Sequence, residues 1–232
     1  MAVRLHENGC MSMRFLDRRD AGRQLAGKLS AYADDPSVLV LGLPRGGVPV
    51  AYEVARALHA PLDVFVVRKL GVPGHRELAM GAIASGGMRV LNPDVIDALR
   101  ISPAVVESVA GRELLELERQ QRAYRGNAPL PAGGELAGRT VIVVDDGLAT
   151  GSTMRAAVVA LRQSNPSQIV VAAPVAAAAT ASSLREDADR VVCLDTPQDF
   201  HAVSAWYEDF SQTSDEEVRS LLESASHAAF SR

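Results

Sequence analysis

Asp145 and Asp146 set two carboxylates side by side at the end of an apolar run, residues 141–144, and a short turn rich in hydroxyls follows them. In that turn Gly147 and Gly151 let the backbone curl, while Thr150, Ser152 and Thr153 add hydroxyl donors beside the amides of a helix N-terminus. Such a cradle suits a phosphate. The two carboxylates would repel a bare phosphate, so they suit the hydroxyls of an attached sugar or the waters of a bound Mg²⁺. A sugar phosphate with Mg²⁺ satisfies both halves of the stretch. The plainer alternative is a strand that ends in Asp-Asp before an ordinary helix cap. The stretch has no lysine for a GxxxxGK[ST] loop and no GxGxxG dinucleotide fingerprint.

Two further stretches carry charge into turn positions. LPRGGVPVA (43–51) places Arg45 before Gly46 and Gly47, a glycine pair that either presents amides to an anion or simply starts a helix. RKLGVPGHRELAMG (68–81) opens on Arg68 and Lys69, and its Gly71, Pro73 and Gly74 predict a mobile loop bearing His75, Arg76 and Glu77. A solvated charged turn would look the same. The histidines at 6, 59, 75, 201 and 227 show no metal-ligand spacing, and no Gx-Ser-xG elbow is present. Cys10 and Cys193 form no CxxC pair, so neither a disulfide framework nor zinc organises the chain.

The elements that must position these residues alternate along the chain. Short apolar runs at 37–43, 61–70, 140–146, 168–175 and 190–195 predict strands, and helices are predicted at 48–59, 152–164 and 178–187. Strands without strict polar alternation are covered on both faces, so the fold class is α/β, a doubly wound and mainly parallel sheet. Ligands bind such sheets beyond the carboxyl ends of the strands, which is where Asp145 and Asp146 fall. An amphipathic helix built on Leu16, Leu25 and Leu29 precedes the sheet. Residues 1–13 show no periodicity and are expected to be a flexible tail, with 14–232 forming a single domain.

Two regions interrupt the alternation. An insertion at about 79–135 combines a hairpin, 79–92 turning at Gly86-Gly87, with a charged helix at 103–122 that reads as a lid or dimer arm. A small C-terminal hood at about 195–232 gathers Phe200, Trp206, Tyr207 and Phe210 in a chain that is only 4% aromatic. Phe200, Trp206 and Tyr207 could stack on a flat acceptor ring, and the spacing of 206, 207 and 210 equally describes a packing face. Asp195 and Asp199 stand where ring N–H groups could be read, and Ser214 with Glu217 makes a capping box for a last helix.

Composition bounds the partners. With 232 residues, 47% hydrophobic and 22% charged, the chain has ordinary globular composition, and its net charge of −4 disfavours nucleic acid as a partner. No apolar run approaches the roughly 18–20 residues that span a bilayer, and the N-terminus lacks a signal-peptide core. No membrane association and a cytoplasmic location are therefore expected.

Four apolar residues followed by DD-x-x-x-TG-x-T, here VIVVDDGLATGST, resemble the phosphoribosyl pyrophosphate (PRPP) motif of the type I phosphoribosyltransferases, and the strand pattern over about 36–195 is compatible with that family's fold. The resemblance implies that Asp145 and Asp146 bind the ribose hydroxyls and hold Mg²⁺ through water. It implies that Ala149, Thr150, Gly151, Ser152 and Thr153 cradle the 5′-phosphate. Arg45, Gly46 and Gly47 are similar to the family's pyrophosphate loop, in which a non-proline cis peptide can occur, and Arg45, Lys69 and Arg76 would be its catalytic cations. The implied reaction transfers the 5-phosphoribosyl group from PRPP to a small-molecule acceptor, expected to be a heteroaromatic nitrogen, with release of pyrophosphate. Ala149 stands where 6-oxopurine branches carry an aspartate, and Ala172-Ala173-Pro174 lacks the lysine they place there, so guanine and hypoxanthine are disfavoured. LATGSTM is closer to the adenine branch without naming a base. A homodimer is common in the family. A second reading stays open, a non-catalytic protein of the same fold that binds PRPP or a nucleotide and regulates a partner; retention of Arg45, Lys69 and the whole motif favours the enzyme.

Overall fold

Along Val38–Gly42, Val38 and Val40 enter one apolar core while Leu39 and Leu41 enter another. Both faces of the strand are covered, which is why its sequence shows no alternation of polarity. Thr140–Val144 and Gln168–Val175 divide in the same way, Val141, Val143, Ile169 and Val171 against Ile142, Val144, Val170 and Ala172. A one-residue slip would exchange the two cores, so the register is strongly specified.

The computed structural model describes residues 3–5, 11–125 and 136–229. In chain order the elements are β1 (Val3–Leu5), β2 (Met11–Met13), α1 (Arg18–Lys28), β3 (Val38–Gly42), α2 (Gly47–Leu58), β4 (Leu62–Val64), β5 (Val67–Val72), β6 (His75–Ala84), β7 (Met88–Leu91), α3 (Pro93–Ala98), α4 (Pro103–Arg125), β8 (Thr140–Val144), α5 (Ser152–Arg162), β9 (Gln168–Val175), α6 (Ala178–Leu184), β10 (Arg190–Asp195) and α7 (Asp215–Ala229). Five strands form a wholly parallel sheet in the order β10-β9-β8-β3-β4. From β3 the chain steps outward to β4, and from β8 it steps the other way to β9 and β10. The winding therefore reverses between β3 and β8, the crevice where open α/β sheets bind ligands. Leu25, Leu29, Val50, Val54 and Leu58 of α1 and α2 and their flanks cover one face. Met154, Val158, Leu161 and Leu184 of α5 and α6 cover the other.

The chain departs from the expected plan after β4. The single strand expected at 61–70 divides: β4 joins the core sheet, and β5 opens a separate antiparallel sheet, β5-β6-β7. Lys69 and Gly71 are exposed while Leu70 and Val72 are buried, the alternation of a strand covered on one face only. The loop expected to be mobile is the tight turn of the β5–β6 hairpin, with Gly74 at φ 80° and register shifts on either side of Gly71. The hairpin expected at 79–92 is present as β6 and β7, turning through Ser85–Gly87.

Leu70, Val72, Met80 and Ile83 of this second sheet pack with Val106, Val109, Leu117 and Tyr124 of α4 and with Val218 and Leu221 of α7. The charged helix is thus anchored along one face. Residues 126–135 of the insertion, and residues 1, 2 and 6–10 of the expected tail, lie outside the described residues; β1 and β2 pair antiparallel. Leu16 is exposed, and Phe15 is the fully buried neighbour; α1 begins at Arg18, capped by Asp17, whose Oδ1 accepts from the Asp20 N–H at 2.6 Å.

Candidate functional site

The loops that leave β3 and β8 lie against each other at the switch point. A β-carbon at Gly46 would land on the Asp146 carboxylate, and one at Gly47 would stand 2.6 Å from the Val144 carbonyl oxygen and 2.8 Å from the Asp145 Cα. Glycine at both positions is what lets the two loops meet. The Pro44-Arg45 peptide in the first loop is cis. The helices that follow, α2 and α5, start from Gly46 and Gly151 with no capping side chain, whereas Asp17, Asn92 and Ser214 cap α1, α3 and α7. In α2 the Gly47 and Val48 N–H groups donate to the Leu43 and Arg45 carbonyls at 3.0 and 3.2 Å, and Pro49 has no N–H. In α5 the Ser152 N–H reaches Thr150 Oγ1 at 3.4 Å, whereas the Thr153 and Met154 N–H groups make no hydrogen bond to the described residues, an arrangement that suits an anion at α5.

Behind the crevice sits the acid pair. Asp145 Oδ1 accepts from the Asp146 N–H at 2.9 Å, and Asp146 Oδ2 accepts from Arg18 Nε at 2.8 Å. Burial, and after it the Asp146 carboxylate, pushes Asp145 well above the ordinary carboxylate range. Burial also raises Asp146, with Arg18 opposing it. The Tyr207 hydroxyl donates to the Asp146 carbonyl at 2.5 Å, and burial pushes its own pKa far up.

In the hydroxyl turn, Lys69 Nζ donates to Ser152 Oγ at 2.7 Å, and the Ser152 and Thr150 hydroxyls are 3.0 Å apart. Gly151 has φ 67°, and the Thr180 hydroxyl of α6 donates to the Ala149 carbonyl at 2.5 Å. The turn is thus held from two sides. The resemblance assigns Lys69 to the pyrophosphate; the structure puts its ammonium on the turn expected to hold the 5′-phosphate. Thr153 is exposed at the start of α5.

The remaining expected residues divide. Arg45 Nη1 reaches Asp215 Oδ1 at 3.4 Å, at the start of α7. Arg68 turns away and donates to Glu113 of α4 at 2.6 and 2.9 Å. Arg76 lies on β6, and its side chain is outside the described residues. Tyr207 does not offer a stacking surface: it is 3% exposed, with ring centroids of Phe15 at 5.4 Å and Phe210 at 5.1 Å. Its ring packs, and its hydroxyl braces the acid pair. Phe200 and Trp206 are partly buried against the same cluster. Val203 of the hood covers Gly147, where a β-carbon would land on its side chain. The Asp195 carbonyl accepts from the Ala176 N–H at 3.2 Å.

Sequence reasoning missed Arg18 and Thr180. Arg18 stands 128 positions from Asp146, and no spacing in the sequence marks it out from the neighbouring arginines. Among the described residues no three His, Cys, Asp or Glu side chains gather into a metal site. The donor set still fits Mg²⁺, which commonly takes one or two carboxylates and draws its other ligands from substrate phosphates and water.

An open parallel sheet with this crevice defines a doubly wound α/β protein whose ligand loops meet at the topological switch. The phosphoribosyl transferase domain matches residues 15–209, and the chain belongs to that family. Two Mycobacterium tuberculosis proteins named "Putative phosphoribosyl transferase", from strains CDC 1551 and H37Rv, are each 49% identical over 212 residues, 91% of this chain and 47% of their own length. The chain spans about half the length of these curated relatives. The crystal structure of TT1426 from Thermus thermophilus superposes with a TM-score of 0.77 at 44% identity, covering 90% of this chain and 98% of that one. Among the described residues no helix is long and apolar enough to cross a membrane.

Proposed function

We propose that the protein transfers the 5-phosphoribosyl group from PRPP to a ring nitrogen of a heteroaromatic acceptor and releases pyrophosphate. The observation that carries this reading is the meeting of the acid pair, the hydroxyl turn and the Arg45 loop at one crevice, held together by the fit of Gly46 and Gly47. Asp145 and Asp146 accept from the ribose hydroxyls. Lys69, Ser152 and the α5 amides hold the 5′-phosphate, and Arg45 with the Gly46 amide faces the pyrophosphate. The acceptor nitrogen forms a bond to ribose C1 as the C1–O bond breaks. Both electrons of that bond leave with pyrophosphate, and the ring nitrogen's proton passes to solvent. Mg²⁺, held by Asp145 and Asp146 through water, would offset charge on the leaving group. Arg45 offsets more of it from a fixed position, where preorganised charge counts most.

The test is pyrophosphate release from PRPP with Mg²⁺ across purines, pyrimidines and pyridine carboxylates. Release dependent on one acceptor class is the expected result. PRPP binding without release on any acceptor would favour a regulatory binder.

A further inference from the structure

Arg18, on the first turn of α1, ties the acid pair to the C-terminal hood. Its Nε donates to Asp146 Oδ2 at 2.8 Å, its Nη1 donates to the Ser211 carbonyl at 2.7 Å, and its guanidinium carbon lies 3.9 Å from the centroid of the Phe210 ring. The ion pair is well shielded, with the two side chains 12% and 14% exposed. Gly46 walls the same carboxylate oxygen, since a β-carbon there would land on it. Asp146 Oδ2 is therefore closed off, and Oδ1 carries no hydrogen bond from the described residues. Asp145 shows the same division: Oδ1 is taken by the Asp146 N–H, and Oδ2 carries none from the described residues.

We propose that Arg18 is a positioning residue that fixes Asp146 with its Oδ1 free, so that this oxygen and the free Oδ2 of Asp145 take the two ribose hydroxyls of PRPP. A planar guanidinium suits the task because it can bond a carboxylate and a carbonyl at once while its face stacks on an aromatic ring. The hood thereby acts on the donor sugar through Phe210, Ser211 and Arg18. The inference rests on the proposed function, and it concerns a residue outside the recognised motif.

Arg18→Met keeps an aliphatic stem over Phe210 and removes the guanidinium, and Arg18→Lys restores charge without the fork. Calorimetric titration with PRPP and, separately, with pyrophosphate, each with Mg²⁺, is read beside the melting temperature. Arg18→Met is expected to weaken PRPP binding by about ten- to a hundred-fold, the range for a lost hydrogen bond to a charged group. Pyrophosphate binding should match the wild type, and Arg18→Lys should recover part of the loss. PRPP affinity unchanged in Arg18→Met overturns the inference while leaving the proposed function intact. PRPP and pyrophosphate affinities falling together with the melting temperature would mark a purely structural role and overturn it too. A wild type that binds no PRPP removes the proposed function and the inference with it.

Discussion

The acid pair puts function and stability in opposition. Asp145 is raised by burial and by Asp146, so its charged form is disfavoured in the folded state. A group raised in this way contributes stability that is present at low pH and is lost as pH rises through its folded value. Asp145→Asn should therefore melt at or above the wild-type temperature at pH 7, and the gap should shrink as pH falls toward 4; PRPP binding should be lost at every pH. A lower melting temperature for Asp145→Asn at pH 7 would contradict this reading. Lys69→Ala removes the donor to Ser152 and should weaken binding of ribose 5-phosphate more than that of pyrophosphate, measured by competition. Equal losses would return Lys69 to the pyrophosphate. At this scale the motif residues were legible because adjacent acids and clustered hydroxyls are chemically conspicuous. Arg18 and Thr180 were not, because their partners are brought close only by the tertiary fold.

Among the elements, two glycines and one tyrosine decide how the loops meet. Gly46→Ala forces a methyl onto the Asp146 carboxylate, an overpacking that costs about 1–3 kcal/mol and should displace the loop. Loss of PRPP binding with retained far-ultraviolet dichroism is the expected outcome; wild-type affinity would mean that the loops do not need this contact. Tyr207→Phe deletes the bond to the Asp146 carbonyl and should lower stability by about 1 kcal/mol. Acceptor preference should not change, since the ring is buried. The parallel strands were readable from apolar runs, and α7 from the capping box at Ser214, whose Oγ accepts from the Glu217 N–H at 3.1 Å. The β5–β6 hairpin was not: glycine and proline at 71, 73 and 74 resemble a loop, and only pairing with β6 shows that Gly71 lies within a strand. The spacing of Tyr207 suits stacking and packing alike, and burial against Phe15 decides between them.

Taken whole, the molecule joins a parallel core sheet to a second antiparallel sheet, and α7 bridges them, with Asp215 at its start reaching Arg45. Fold class was legible from the order of the elements; of the second sheet the β6–β7 hairpin was legible too, and β5 was hidden because its residues run on from β4 in one apolar stretch. Cys193, on β10, gauges global unfolding: burial pushes its thiol up to about 11. At pH 8 it should remain a thiol and resist alkylation, followed at its own peptide by mass spectrometry, until denaturant opens the sheet. Rapid native labelling would show that β10 detaches independently. The central claim is that the crevice between β3 and β8 holds the two halves of one PRPP molecule. It is tested most directly by titrating PRPP, ribose 5-phosphate and pyrophosphate into the protein with Mg²⁺, beside a variant carrying both Asp145→Asn and Asp146→Asn. The account predicts single-site binding in which PRPP is tightest, each half competes with it, and the double variant loses PRPP. PRPP binding no tighter than either half, or unchanged in the double variant, would contradict it.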